Sequence, residues 1–236
     1  MRWIKGCLQI VLVLGVVLLT GCLQYDLDIQ FDSQTHGQWV QQLRWRGSGI
    51  SASSTLEPWL HVLTQRTQAV QGKIRVVADN TLEITVPFNN GKEFETRFNQ
   101  FFSPLEDAPP MTLPGGEPIQ AELSIRQGNW LLAIDNHISL RIDLTAVPDL
   151  TDTALPLLQA AQLLEGRVTV TTPWGVRSPT QRGASPEKWP LVAGEVNQIE
   201  ADFWVPSPIG IGALVIVVLV ALGYSLKYRF SGKPIP

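Results

Sequence analysis

The chain has 236 residues, a formal net charge of −3, 44% hydrophobic and 17% charged residues, two cysteines and eight tryptophans. So much apolar character excludes a disordered chain, and a near-neutral balance without a basic run excludes nucleic-acid binding, which needs clustered Lys and Arg. The charged fraction lies below the roughly 25% of soluble domains because uncharged residues gather in blocks at the two ends, and composition alone names no activity.

Met1 to Gly21 read as a targeting segment. Arg2 and Lys5 supply a positive start, and Leu8 to Leu19 is nearly all Val, Leu and Ile. The segment ends in Leu19-Thr20-Gly21-Cys22, which resembles the bacterial lipobox. There, small residues admit the lipoprotein signal peptidase and the following Cys thiol takes a diacylglycerol. On this reading residues 1–21 are a lipoprotein signal peptide, Cys22 is the lipid attachment point and the mature N-terminus, and Cys7 is lost; an uncleaved membrane anchor with a chance cysteine is the alternative. No thiol follows Cys22, so no disulfide, Cys metal site or Cys nucleophile is expected.

Residues 22–206 form the expected exported domain. Leu23, Tyr25, Leu27, Ile29 and Phe31 alternate with Gln24, Asp26, Asp28, Gln30 and Asp32, which predicts a half-buried strand. A turn over Ser33 to Gly37 leads to Trp39, Leu43 and Trp45, a second strand paired with the first as a hairpin. Ser54 to Glu57 has capping-box form, Pro58 suits a first helical turn, and Leu56, Leu60, Leu63 and Val70 trace one stripe, so a helix is predicted over roughly 55–71. Ile74 to Ala78 and Leu82 to Phe88 predict a second hairpin. Phe94, Phe98, Phe101 and Leu105 recur at helical spacing and predict a second helix over about 92–102, its phenylalanines in the core.

Five prolines between Pro104 and Pro118 predict an extended loop. Ile119 to Ile125 alternate, Gln127-Gly128-Asn129 is the expected turn, and Trp130 to Leu144 continues the meander. A short helix is expected within residues 145–165. Val168 and Val170 begin a further strand, Pro173 to Pro190 reads as a long loop, and Ile199 to Phe203 as the last strand. The expected fold class is α+β: a single β-rich domain of about eight mostly antiparallel strands with two amphipathic helices, plus one C-terminal transmembrane helix.

Ile209 to Leu226 carries no charge over 18 residues, close to the roughly 20 that cross the hydrocarbon layer. A transmembrane helix is predicted over 207–227, bordered by Trp204 before it and by Tyr224 and Tyr228 at its end. Lys227 and Arg229 begin a basic tail, residues 228–236, which the positive-inside rule places in the cytoplasm. Of the chain's 18 basic residues, five (Arg2, Lys5, Lys227, Arg229, Lys233) lie in the two ends, leaving 13 against 21 acidic residues, a net of −8 for the exported domain. That surface is repelled by anionic headgroups, so membrane attachment is expected from the lipid on Cys22 and from the helix.

Catalytic chemistry is sparse. His36, His61 and His137 lack a second ligand at zinc spacing, and Asp26 with Asp28 fits the solvent face of a strand better than a cation site. Gly47-Ser48-Gly49 is not a nucleophile elbow, and no phosphate loop occurs. Neither a metal nor a cofactor is expected. Trp174 and Trp189 stand in the Pro/Gly-rich loop, where they can anchor a partner, dip into headgroups or simply pack.

Six segments together resemble a family of membrane-anchored proteins from cyanobacteria, with plastid relatives, catalogued as a domain of unknown function. They are FDSQTHG from Phe31, EPWL from Glu57, VPFNNG from Val86, FNQFF from Phe98, TTPWG from Thr171 and FWVPSPIGIG from Phe203. The resemblance implies a thylakoid or cytoplasmic-membrane protein whose domain faces the lumen or periplasm, and it carries no catalytic residues. The layout is also similar to the mycobacterial LppM-type lipoproteins, which are associated with lipid binding. The expectation is a non-enzymatic scaffold or assembly factor for a membrane complex. The alternative is a lipid- or pigment-binding module with an apolar cavity between sheet and helices.

Overall fold

The computed structural model describes residues 23–33, 36–45, 56–103, 110–113, 118–147, 164–177 and 187–230. The predicted signal peptide, Cys22 and nearly all of the short helix expected in 145–165 lie outside them.

The alternation read in the first strand is obeyed. In β1 (Leu23–Ser33), Leu27, Ile29 and Phe31 are buried while Asp26, Asp28 and Gln30 between them keep partial exposure. β1 pairs antiparallel with β2 (His36–Trp45), whose Trp39 and Leu43 point to the same core. β3 (Lys73–Ala78) and β4 (Thr81–Phe88) form the second hairpin about Asp79 and Asn80, and β4 lies along β2. Two further strands complete a six-stranded sheet of order β3-β4-β2-β1-β7-β8: β7 (Leu164–Thr171) and β8 (Glu187–Leu191). β7 runs parallel to β1, the single departure from antiparallel pairing among the described strands. β7 starts four residues before the expected Val168, and β8 occupies the last part of what the prolines suggested was loop. Its short length and Pro190 hid it, since Pro is tolerated where a strand forms a sheet edge.

A second sheet of order β5-β6-β9 holds β5 (Gln120–Trp130), β6 (Ala133–Asp143) and β9 (Val196–Pro206). The turn expected at Gln127-Gly128-Asn129 is not there. β5 runs through it, with Gly128 opposite Asp135, and the chain reverses at Leu131 and Leu132. Tertiary pairing overrides the turn-forming residues, because β6 is held along its whole length by β9 from Asp143↔Val196 to Ala133↔Pro206. Gln127 Nε2 also donates to Asn136 Oδ1 at 2.7 Å across the hairpin.

The described residues thus contain nine strands. The two sheets face each other across aromatic side chains, with the rings of Phe31 and Phe203 4.7 Å apart. β1 and β9 lie along each other in a definite sense. Phe31, near the end of β1, meets Phe203 near the end of β9, whereas Tyr25, near its start, shares a small space with Ile142 and Leu144 at the opposite end of the second sheet.

Helix α1 (Glu57–Ala69) begins with Pro58 in its first turn as expected, and its N-cap is Leu56 with no side-chain hydrogen bond; Ser54 and Thr55 of the expected capping box lie outside the described residues. Leu63 and Val70 are buried, and so are Arg66 and Thr67 on the same face. Arg66 is accommodated because its Nη1 donates to the carbonyls of Phe101 and Ser103 at 2.7 and 2.8 Å. Those carbonyls end helix α2 (Gly91–Phe102), so the guanidinium sits where the helix dipole favours a cation. Burial pulls its pKa down from the usual arginine range.

α2 starts at Asn90, whose Oδ1 accepts the Glu93 N–H at 2.9 Å, and it buries Phe94, Phe98 and Phe101 completely. Phe94 stacks on Phe88 at 4.5 Å and meets Phe31, Trp39 and Phe98 within 6 Å. α2 also covers the open edge of β5. The Asn99 amide donates to the Leu123 carbonyl and accepts from the Leu123 N–H, both at 2.8 Å, replacing the strand that β5 lacks on that side.

Candidate functional site at the helix-bearing end

One residue, Ser207, separates β9 from helix α3 (Pro208–Phe230). The apolar run drives this helix: within Pro208–Arg229 the most apolar stretch of 18 residues has a mean hydropathy of 2.5 and only 6% of it is buried, so the helix is long and apolar enough to cross a membrane. At about 1.5 Å per residue its 22 residues reach about 33 Å, little more than the roughly 30 Å hydrocarbon layer.

Ile209, Leu226, Tyr224 and Tyr228 all face outward from α3, as lipid-facing residues would. The two tyrosine rings pack at 4.3 Å, and the Lys227 ammonium lies 6.0 Å from the Tyr228 ring. Lys227 and Arg229 occupy the last turn, where their charge opposes the helix dipole. Trp204 is partly exposed on β9, two residues short of the strand end.

The seat of this helix was not foreseen. Ser207 N–H donates to the Leu132 carbonyl at 2.9 Å, and Ser207 Oγ accepts the Gly210 N–H at 3.2 Å. A Cβ at Gly210 would fall on the Leu131 carbonyl oxygen. The β5–β6 hairpin tip therefore rests against the first turn of α3, backbone on backbone, and only glycine admits it. Leu131 itself has φ 25, on the positive side that L residues seldom adopt. Trp130 and Leu131 are 74% and 71% exposed, beside Ile209 at 81%. The signal was in the sequence as Gln127 to Ile134, QGNWLLAI, a stretch with no charge between Arg126 and Asp135. Three consecutive apolar residues also read as strand interior, which hides the tip.

The other predicted contacts fall elsewhere. Trp189 is 6% exposed and packs in the core from β8, so it presents nothing to a partner or to headgroups. It is buried because β8 pairs with β7 and turns that side chain inward, opposite Val168. Trp174 is partly buried against the same core. Asp26 accepts hydrogen bonds from Arg167 and from Gln24, which satisfies it as a surface carboxylate. Among the described residues no group of three His, Cys, Asp or Glu converges as a metal site. His137 Nδ1 lies 2.5 Å from Asp202 Oδ1 between β6 and β9.

Two concave features lie at the end away from α3. An open cleft of about 470 Å³ runs between α2 and the start of β5, lined by Asn99, Ser103, Met111, Glu122 and Arg141. Behind it, a space of about 20 Å³ is enclosed by Tyr25, Phe102, Ile119, Leu144, Leu164 and Leu191. Burial pushes the Tyr25 phenol upward. That inner space has room for about one water and none for an acyl chain.

The folded domain of LppM from Mycobacterium tuberculosis, solved by NMR, is similar at 14% identity and a TM-score of 0.46, with 80% of this chain and 93% of that one covered. No curated protein matches the sequence. Residues 27–231 match the model of a family described as a protein of unknown function (DUF3153), and the chain belongs to that family.

Proposed function

We propose that the chain is a non-enzymatic, membrane-tethered scaffold or assembly factor for a membrane complex. The observation that carries this reading is the mount: β9 passes into α3 through Ser207 alone, and the hairpin tip abuts Gly210. A flexible linker would let a domain sample the space above a bilayer. A mount of this kind instead gives it a fixed attitude, which suits a part that orients other proteins. The enclosed space described among Tyr25, Phe102, Ile119 and Leu191 supports the same reading, since at about 20 Å³ it admits neither a lipid nor a pigment. A lipid- or pigment-binding role would require a larger closed cavity.

The location we propose is a cytoplasmic or photosynthetic membrane, with the domain on the periplasmic or lumenal face and the basic tail inside, as Lys227, Arg229 and Lys233 favour. The test is affinity purification of the tagged full chain from membranes solubilised in mild detergent. A discrete membrane complex of constant composition is expected; recovery of the chain alone, across detergents, refutes the scaffold reading. A reporter fused after Pro236 is expected to be active in the cytoplasm, and activity only outside would reverse the orientation.

A further inference from the structure

We propose that the β5–β6 hairpin tip, Trp130-Leu131-Leu132, is a second membrane contact that inserts into the headgroup layer beside the first turn of α3. The inference rests on α3 being the membrane helix. Because the apolar span is barely longer than the hydrocarbon layer, its first turn must lie at the layer's boundary. Leu131 touches Gly210 in that first turn, so the tip lies at the same depth.

The chemistry of the tip fits that depth. Trp130 and Leu131 are about three-quarters exposed, Leu132 is exposed as well, and Ile209 continues the apolar surface onto the helix. An indole with one apolar face and one N–H suits the headgroup boundary, where tryptophan is enriched. The surrounding backbone is free of charge: the hairpin from Gln127 to Ile134 and the strand end from Phe203 to Pro208 contain no Asp, Glu, Lys or Arg. That absence stands out on a domain of net −8, whose acidic residues would be repelled by anionic lipid. The positive φ at Leu131 adds to this. The site favours Gly or Asn, and a leucine held there at 71% exposure gains nothing from water.

With helix and tip both engaged, the domain is fixed at two points and cannot swivel about α3. The test uses the full chain reconstituted into phosphatidylcholine vesicles, with and without lipid brominated near the top of the acyl chain. Trp130 emission is read as the difference between wild type and Trp130→Phe, and helix insertion as resistance to alkaline carbonate extraction. The expected result is carbonate resistance with the Trp130 signal quenched by the brominated lipid, as for an interfacial indole. Leu131→Asp is expected to abolish that quenching while carbonate resistance is kept. A carbonate-resistant chain whose Trp130 is not quenched overturns the tip contact and leaves the helix in place. A chain that carbonate extracts overturns both.

Discussion

Gly210→Ala probes the mount directly. The added methyl would land on the Leu131 carbonyl oxygen, and both groups are backbone-borne, so no rotamer change relieves the overlap. Overpacking of this kind costs up to about 3 kcal/mol. The better helix propensity of alanine returns up to about 1 kcal/mol. The seat should therefore be weakened by about 1–2 kcal/mol, a factor of about 5–30 in its opening equilibrium. The relief available is for the hairpin to lift, which breaks the 2.9 Å hydrogen bond from Ser207 N–H to the Leu132 carbonyl. Amide exchange at Ser207, measured on the full chain in nanodiscs, should accelerate by that factor. Gly212→Ala is the matched control: two residues along the same helix, a Cβ there meets nothing within 4 Å, and exchange should not rise. Equal exchange at Ser207 in the two variants would refute the seat as described.

Three further outcomes concern the domain itself. Phe94→Ala removes a fully buried ring from among Phe31, Trp39, Phe88 and Phe98, and should cost about 3–5 kcal/mol in urea unfolding followed by tryptophan emission, with Phe94→Leu costing less. Arg66→Met strips the Phe101 and Ser103 carbonyls of their donor and should cost about 1–3 kcal/mol in the same assay, the loss being tempered because an arginine need no longer be desolvated. The Asn89 backbone N–H, then its side-chain amide and Arg97, hold Glu93 below the usual carboxylate range. A lowered carboxylate pKa stabilises the fold fully above the unfolded value of about 4.3 and ceases to do so as pH falls through the lower folded value. Glu93→Gln should therefore flatten the part of a melting-temperature series below that pH, and an unchanged acid limb would contradict the assigned partners.

Where burial follows a simple period, the fold was legible. The alternation in Leu23 to Phe31 and the Phe94, Phe98, Phe101 spacing reported both element and buried face, because each side chain's fate depended on its own position in the pleat or turn. The failures share a different cause. Gln127-Gly128-Asn129 has turn chemistry but lies in a strand, paired with Asn136, Asp135 and Ile134 of β6, which β9 in turn holds from the far side. Trp189 looked like a loop residue because the strand that buries it is only five residues long and contains Pro190. Arg66 sits on the apolar stripe of α1 for a reason found only in α2. The apolar helix α3 could be read from hydropathy alone, whereas its seat could not: Gly210 is one glycine among several until the Leu131 carbonyl is placed on it.

The running sense of β1 has a consequence for the chain's two ends. Leu23 begins β1 at the pole shared with Ile142 and Leu144, while α3 leaves from the pole marked by Ala133 and Pro206. Nine residues of β9 separate those levels, about 30 Å at strand rise. Cys22 precedes Leu23 directly in sequence, with no spacer to bridge that distance. A diacylglycerol on Cys22 and a helix in one and the same bilayer can therefore coexist only if the strands recline along the membrane. If the domain stands upright instead, acyl chains on Cys22 would be carried to the height of an opposing membrane. Were Cys22 lipidated, its acyl chains and α3 would hold the domain from opposite poles, as the two ends of a lever.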